Sequence, residues 1–259
     1  MCPIDPFEHF PALEYLEKYY SYVGEENEAM MRALAHFTQR FKPNFDRLIE
    51  VGGGPSVVPI LAFCAATACS PRSIAFADIA AENLAEVERW VHSQPTRFSY
   101  AGILEWLSNE HGVEPAQIER LARSGEWTLS SIDLRQPLPT SMIRTFDTVS
   151  SHFFAESATS DRGTLLSLLG RLAELGRPDA RILLSFMRRS LGYSINGLKF
   201  PAVEVDENTL PGMLDTAGLH LTDIEYLVTD AETPPTRPGY EGMVFVAGIL
   251  QTSTAISPM

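Results

Sequence analysis

The sequence predicts an α/β fold: one mainly parallel, doubly wound sheet of about seven strands, preceded by helices and closed by an antiparallel pair. Three observations carry this. From residue 47 onward, short apolar runs alternate with helix-period segments, the order that produces right-handed β-α-β crossovers. The first run leads directly into Gly52-Gly53-Gly54. The last two runs have no helix between them, so they pair as a hairpin at one edge of the sheet. With 259 residues, 45% hydrophobic and 20% charged, the chain suits a single domain over 1–259, with 1–42 as a helical lid and 43–259 as the α/β core.

The elements follow in order. Tyr15, Tyr19, Tyr20 and Tyr22 cluster in a first helix, and Tyr15 and Tyr19, four apart, share a face. Glu25–Phe41 is a second helix with Met30, Leu34 and Phe37 as its buried stripe, ending before Pro43. Arg47–Val51 has strand length. Helix Val57–Thr67, strand Ser73–Ala77, helix Asn83–Val91 and strands Trp127–Ile132 and Thr145–Ser150 come next. Helix Gly163–Leu175, strand Ala180–Met187 and helix Glu207–Ala217, stopped by Gly218, complete the alternation. Leu221–Asp230 and Gly242–Leu250 are the closing strands, and Pro234–Pro238 reads as an exposed hairpin loop able to fold over a pocket.

Composition excludes several classes of partner. A formal net charge of −13 repels phosphate backbones and anionic lipids, so neither nucleic acid nor membrane is expected. Cys2, Cys64 and Cys69 are odd in number and lack CxxC spacing, which argues against a disulfide framework or a zinc site. The six histidines have no metal-ligand spacing. Ser56 lacks the G-x-S-x-G elbow of a hydrolase. The opening Met-Cys-Pro-Ile-Asp-Pro has no basic and apolar leader pattern, and the apolar run Val57–Ala68 is too short to span a bilayer. A cytoplasmic monomer or homodimer acting on a small molecule is expected.

The candidate site starts at Leu48-Ile49-Glu50-Val51-Gly52-Gly53-Gly54-Pro55-Ser56. A strand enters a turn without Cβ atoms and then a helix, so the backbone can wrap closely around a ligand. The GxGxxG fingerprint of a nicotinamide dinucleotide site is absent, and a bare turn without a ligand is the competing reading. Glu50, at the strand end, is placed to accept from a ligand ammonium. Asp78 follows the second strand at the position where such sheets present an acid to ribose hydroxyls; its alternative role is a helix N-cap. Asn83 supplements the ribose contact. Asp133, after the third strand, is placed to accept from an adenine amine, or else lies on a surface loop. His152, Phe153 and Phe154 line the cleft mouth, and Glu156 follows them after the fourth strand. Three acids at successive strand ends favour adenosine.

The segment Glu14-Tyr15-Leu16-Glu17-Lys18-Tyr19-Tyr20 and the Leu48–Ser56 run resemble the nicotinamide, phenylethanolamine and indolethylamine N-methyltransferases, a class I S-adenosylmethionine-dependent family. So do Asp78-Ile79-Ala80-Ala81-Glu82-Asn83-Leu84, Glu88-Arg89-Trp90, Phe200-Pro201-Ala202-Val203 and Glu241-Gly242-Met243-Val244-Phe245. The resemblance runs in order along nearly the whole chain. It implies a seven-stranded Rossmann-like sheet under a helical lid, with S-adenosylmethionine as cofactor. It further implies Tyr20 at the cofactor's carboxylate, Gly52 and Gly53 against its backbone, and Asp78 and Asn83 on ribose. Ile132 and Asp133 would flank adenine, and Tyr15 would close over the sulfonium.

Departures from that family bear on the acceptor. Val58 stands where the family often has a tyrosine, and Leu184-Ser185-Phe186-Met187 contains no acid. Arg188 and Arg189 stand where amine-type members carry a glutamate. If Arg188 faces the pocket rather than solvent, a carboxylate is welcomed there. Phe153, Arg188 and Tyr193 are therefore assigned to the substrate, with Tyr15, His152 and Glu156 as the catalytic candidates. The expectation is N-methylation of a small carboxylated or amino-acid-like metabolite in secondary metabolism. Two further readings keep the cofactor. One is cyclisation of S-adenosylmethionine itself to azetidine-2-carboxylate and methylthioadenosine; the other is binding without catalysis.

Overall fold

The computed structural model describes residues 7, 9–231 and 239–251. Cys2 and the Pro234–Pro238 segment lie outside them. Helix α1 (Ala12–Tyr20) is followed by α2 (Glu25–Phe41), which packs against helix Val58–Thr67 and strands Gly176–Arg188 and Gly242–Leu250. The bend between them is held by the Asn27 side chain, whose Nδ2 donates to the Tyr19 carbonyl at 2.5 Å. Met30, Leu34 and Phe37 are all buried, so the expected stripe of α2 is its packed face. The rings of Tyr15 and Tyr19 sit 4.9 Å apart. Tyr22, expected with them, is 53% exposed because the chain turns outward between the helices.

The core alternates β1 (Arg47–Val51), α3 (Val58–Thr67), β2 (Ser73–Asp78), α4 (Ala81–Val91), α5 (Ala101–His111), α6 (Pro115–Arg123) and β3 (Glu126–Ser131). It continues through β4 (Phe146–His152), α7 (Arg162–Leu175), β5 (Gly176–Arg188), the short β6 (Tyr193–Ile195) and β7 (Leu198–Phe200), then α8 (Leu210–Thr216), β8 (Leu221–Asp230) and β9 (Gly242–Leu250). Seven strands form one sheet in the order β3-β2-β1-β4-β5-β9-β8; β6 and β7 pair separately. The strands from β3 to β5 are parallel, while β9 runs antiparallel to both β5 and β8. The strand order reverses between β1 and β4, and the crevice above their carboxyl ends is where open α/β sheets bind ligands.

Both faces of the sheet are covered, so its central strands are buried almost without a break, β4 along its whole length. Leu48, Leu183, Met243 and Phe245 point into a core shared with α2 and α3. Their neighbours Ile49, Ile182, Leu184, Val244 and Val246 point into the opposite core, filled by α7 and α8.

Helices α5 and α6 and the β6–β7 hairpin are additions to the sequence expectation. Helix α5 buries Ile103, Leu104 and Leu107 and ends at Gly112 with φ +67°; α6 begins with Pro115, which needs no intrahelical donor there, and buries Ile118 and Ala122. Helix α8 starts three residues later than expected because Pro211 fits only a first turn. Ahead of it, the Asp206 carboxylate accepts from the amides of Asn208 and Thr209 and holds a turn instead.

Candidate active site

The β1–α3 turn is shaped by its glycines. Gly52 and Gly54 have φ of +65° and +62°, a region costly for residues with a Cβ. A Cβ on Gly52 would lie 2.1 Å from the Phe154 ring, so glycine there is required by contact as well as by φ. The Gly52 amide donates to the Ala77 carbonyl at 2.8 Å, tying the turn to β2. Asp78 completes the tie: its Oδ2 accepts from the Gly54 amide at 3.1 Å, and its Oδ1 from the Ala80 amide at 2.8 Å and Asn83 Nδ2 at 3.1 Å. Burial raises the Asp78 pKa, and these donors oppose the shift. Asp78 therefore orders the turn and the start of α4 while lining the cavity above them.

That inner cavity brings together Tyr15, Tyr20, Glu50, Gly52, Gly53, Gly54, Asp78, Asn83, Ile132, Asp133, His152, Phe153 and Tyr193. Glu50 is fully buried, and neither carboxylate oxygen completes a hydrogen bond of good geometry among the described residues. Burial pushes its pKa up to about 8, with only the Ser150 hydroxyl opposing. Asn83 Oδ1 is likewise buried without a partner among the described residues. Buried polar atoms left this way cost roughly 1–3 kcal/mol each, so the cavity wall offers polar groups that a ligand or water can satisfy. Asp133 sits at the far end with Ile132, its Oδ1 accepting from the amide and Nε of Arg135 at 2.9 and 2.8 Å.

A second, outer chamber of about 280 Å³ adjoins the first. Tyr15, Tyr20, Phe153, Ser157 and Tyr193 line both, so they form the junction. The Tyr20 phenol is buried and its pKa is pushed up to about 12, so it is a neutral donor at working pH. Above the junction, Tyr193 stacks on Phe200 at 4.7 Å and 12°, and Phe10 meets both Phe200 and Tyr15 at 5.3 Å. This aromatic roof of α1, its preceding residues and the β6–β7 hairpin was not legible as a unit in the sequence. Phe7, Phe10, Tyr19, Glu26, Ser157 and Tyr240 also line the cavities, though the sequence reading assigns none of them to the site and takes Glu26 as a solvated helix-start charge.

Three expectations need correction. Arg188 lines neither cavity: its Nε and Nη2 donate to Glu207 at 2.9 and 3.2 Å, and its Nη1 donates to Asp230 at 2.5 Å. Arg189 is similarly engaged with Asp206 and Glu241. Both guanidinium groups are engaged by these acids and neither lines a cavity, so the basis for a carboxylated acceptor is removed. His152 lines the inner cavity, yet both ring nitrogens are taken by hydroxyls, Nε2 with Ser150 at 2.8 Å and Nδ1 with Ser185 at 2.7 Å. Burial drives its pKa down to about 3, so the ring is neutral and braces β4 against β5 rather than receiving a proton. Glu156 stands one layer behind the chamber wall: Oε1 accepts from the Met187 amide at 2.8 Å, and burial lifts its pKa to about 7. It shapes the wall and does not line either cavity.

Among the described residues there is no cluster of metal-ligating side chains, and no helix is long and apolar enough to cross a membrane.

Solved structures share this architecture. A SAM-dependent methyltransferase from Methanosarcina mazei superposes with a TM-score of 0.55 at 14% identity, over 83% of this chain and 97% of that one. An S-adenosylmethionine-dependent methyltransferase from Clostridium acetobutylicum gives 0.56 at 10% identity, over 93% and 97%. In sequence, the chain is 25% identical to nicotinamide N-methyltransferase of Homo sapiens, over 81% of this chain and 82% of that protein. It is 24% identical to indolethylamine N-methyltransferase of Mus musculus, over 81% of each. The model of the NNMT/PNMT/TEMT family matches residues 2–248. With the glycine turn and its acids standing at the topological switch point, that match assigns the chain plainly: it belongs to the NNMT/PNMT/TEMT family.

Proposed function

We propose that the protein is an S-adenosylmethionine-dependent N-methyltransferase of a small molecule, working at the junction of the inner and outer cavities. The observation that carries this reading is the unsatisfied polar wall of the inner cavity, Glu50 and Asn83 beside the glycine turn and Asp78. It matches an adenosyl amino acid: Glu50 toward the ammonium, Tyr20 toward the carboxylate, Asp78 and Asn83 toward ribose, and Ile132 with Asp133 toward adenine. Bound there, S-adenosylmethionine supplies a methyl on a sulfonium that becomes a neutral thioether when an acceptor nitrogen's lone pair forms the new carbon bond.

The chain's own part is positioning and exclusion of water. Tyr15, Phe153 and Tyr193 line the junction, where aromatic rings stabilise positive charge by cation–π contact. Their roof of Phe10 and Phe200 keeps it dry. The nitrogen's proton leaves through the outer chamber to solvent, since His152 has no free nitrogen and Glu156 lies behind the wall. The outer chamber gives an acceptor a place of its own, which supports transfer to a second molecule over cyclisation of the cofactor.

Calorimetry with S-adenosylhomocysteine tests the site. Micromolar binding by the native protein, weakened roughly tenfold or more in D78N and abolished in G52A, is the expected result. Equal affinity in all three proteins would remove the glycine turn from the site.

A further inference from the structure

Three neighbouring strands carry one run of buried polar side chains. Glu50 of β1 and Ser150 of β4 are register partners, as are His152 of β4 and Ser185 of β5. Ser150 and His152, two apart, share a face of β4. The Ser150 hydroxyl meets His152 Nε2 at 2.8 Å, and His152 Nδ1 meets the Ser185 hydroxyl at 2.7 Å. Ser150 is also the side chain that offsets the burial of Glu50, although neither Glu50 oxygen completes a bond of good geometry among the described residues. All four residues are at most 7% exposed, so the protons of the run are shared among its members.

A neutral imidazole has one N–H and each serine hydroxyl one proton, so the same heavy atoms admit two proton arrangements. With Glu50 ionised, the Ser150 hydroxyl donates to the carboxylate, Nε2–H donates to Ser150, and bare Nδ1 accepts from Ser185. With Glu50 protonated, its acid O–H is the strongest donor in the run and takes Ser150 as acceptor. Ser150 then donates to Nε2, and Nδ1–H donates to Ser185. Between the two, one proton leaves Nδ1 and one arrives at Nε2; the ring stays neutral, and the net change is the proton that Glu50 loses. The other ionisable groups on the inner cavity are already committed. Tyr15 and Tyr20 of α1 and Tyr193 of β6 are phenols held neutral by burial. Asp78, ending β2, accepts from the Gly54 and Ala80 amides and Asn83, and Asp133 is paired with Arg135.

We infer that Glu50, Ser150, His152 and Ser185 work as one hydrogen-bonded relay in which the charge on Glu50 selects the tautomer of His152, which makes His152 and the two serines positioning residues for Glu50. In the ionised arrangement all three donors point along the run toward the carboxylate and strengthen one another, so the relay holds Glu50 in the charged form that a ligand ammonium needs. This rests on the reading of Glu50 as the partner of the cofactor's ammonium and goes beyond it, because that contact alone requires only a carboxylate. Occupation of the inner cavity is thereby felt across β1, β4 and β5 as far as Ser185, which lines neither cavity.

Nuclear magnetic resonance reads the tautomer directly. His152 is the one histidine of the chain that follows a serine, so protein labelled with carbon-13 in the serine carbonyls and nitrogen-15 in the histidines identifies its signal without a variant. Ring proton–nitrogen correlations then show which nitrogen carries the proton. With the Glu50 pKa at about 8, unliganded native protein at about pH 6.5 should hold the proton on Nδ1. At about pH 9, or saturated with S-adenosylhomocysteine at about pH 7.5, it should hold it on Nε2. S150A cuts the link and keeps both ends: His152 should keep one tautomer in all three conditions, and S-adenosylhomocysteine affinity should fall roughly tenfold, the scale of one hydrogen bond to a charged group. E50Q should likewise show no swap. One tautomer throughout in the native protein, a swap surviving in S150A or E50Q, or unchanged affinity in S150A would each overturn the inference. If the variants do not fold, the native comparison still decides. A swap with pH but no binding of S-adenosylhomocysteine would instead overturn the proposed function.

Discussion

Only the Ser150 hydroxyl offsets the burial of Glu50, and that makes its protonation the most readable property of the site. Its folded pKa of about 8 lies above the ordinary carboxyl value of 4.5. The folded protein without ligand therefore holds a proton that the unfolded chain releases. This group's contribution to stability is fully present below pH 4.5, declines as pH rises, and is lost above about 8. A ligand ammonium beside Glu50 favours the charged form, so binding expels the proton and tightens as pH rises. S-adenosylhomocysteine affinity measured from pH 6 to 8.5 should increase in the native protein and stay flat and weaker in E50Q. Much of this scale was legible in the sequence, because glycines and strand-end acids act through backbone placement that the alternation of elements already dictates. Arg188 was not legible: its partners Glu207 and Asp230 are 19 and 42 positions away, and only the folded chain brings them together. His152 misled for a similar reason, since Ser185, which takes its Nδ1, sits on the neighbouring strand.

At the scale of elements, the site depends on a roof made from two separate parts of the chain. Phe200 is 3% exposed and carries ring contacts to Phe7, Phe10 and Tyr193. Truncating it removes the surface on which the start of α1 and the β6–β7 hairpin meet. F200A should lose about 3 kcal/mol of stability in urea melts and release S-adenosylhomocysteine faster in stopped-flow displacement, with the larger change in the off-rate. A dissociation rate equal to the native one would show that the roof does not retain the ligand. The period-2 and period-3.6 patterns make the main strands and most helices readable before any coordinates. The hairpin strands have three residues each, too few to display a period, so their pairing emerges only against the lid. Helices α5 and α6 did carry a signal, in Pro115, Gly112 and the 103-104-107 spacing, which the alternation of strands and helices overshadowed.

The whole molecule sets where these pieces meet and how a substrate approaches them. Reversal of strand order between β1 and β4 opens the crevice, α1 lines it through Tyr15 and Tyr20, and the antiparallel β9 and β8 form the far edge. A net charge of −13 gives a field that draws cations and repels anions. The kcat/KM for a cationic acceptor should therefore fall severalfold between about 50 and 500 mM salt, where the Debye length shrinks from roughly 14 to 4 Å. A neutral acceptor should show little change; equal salt dependence for both would argue against steering. The most direct test of methyl transfer at the cavity junction is product analysis by mass spectrometry, with S-adenosylmethionine and a set of small aromatic and aliphatic amines supplied together and the cofactor also supplied alone. The expected result is S-adenosylhomocysteine in one-to-one proportion with an N-methylated amine, and neither product without acceptor. Methylthioadenosine formed from the cofactor alone, or binding with no methylated product, would contradict it.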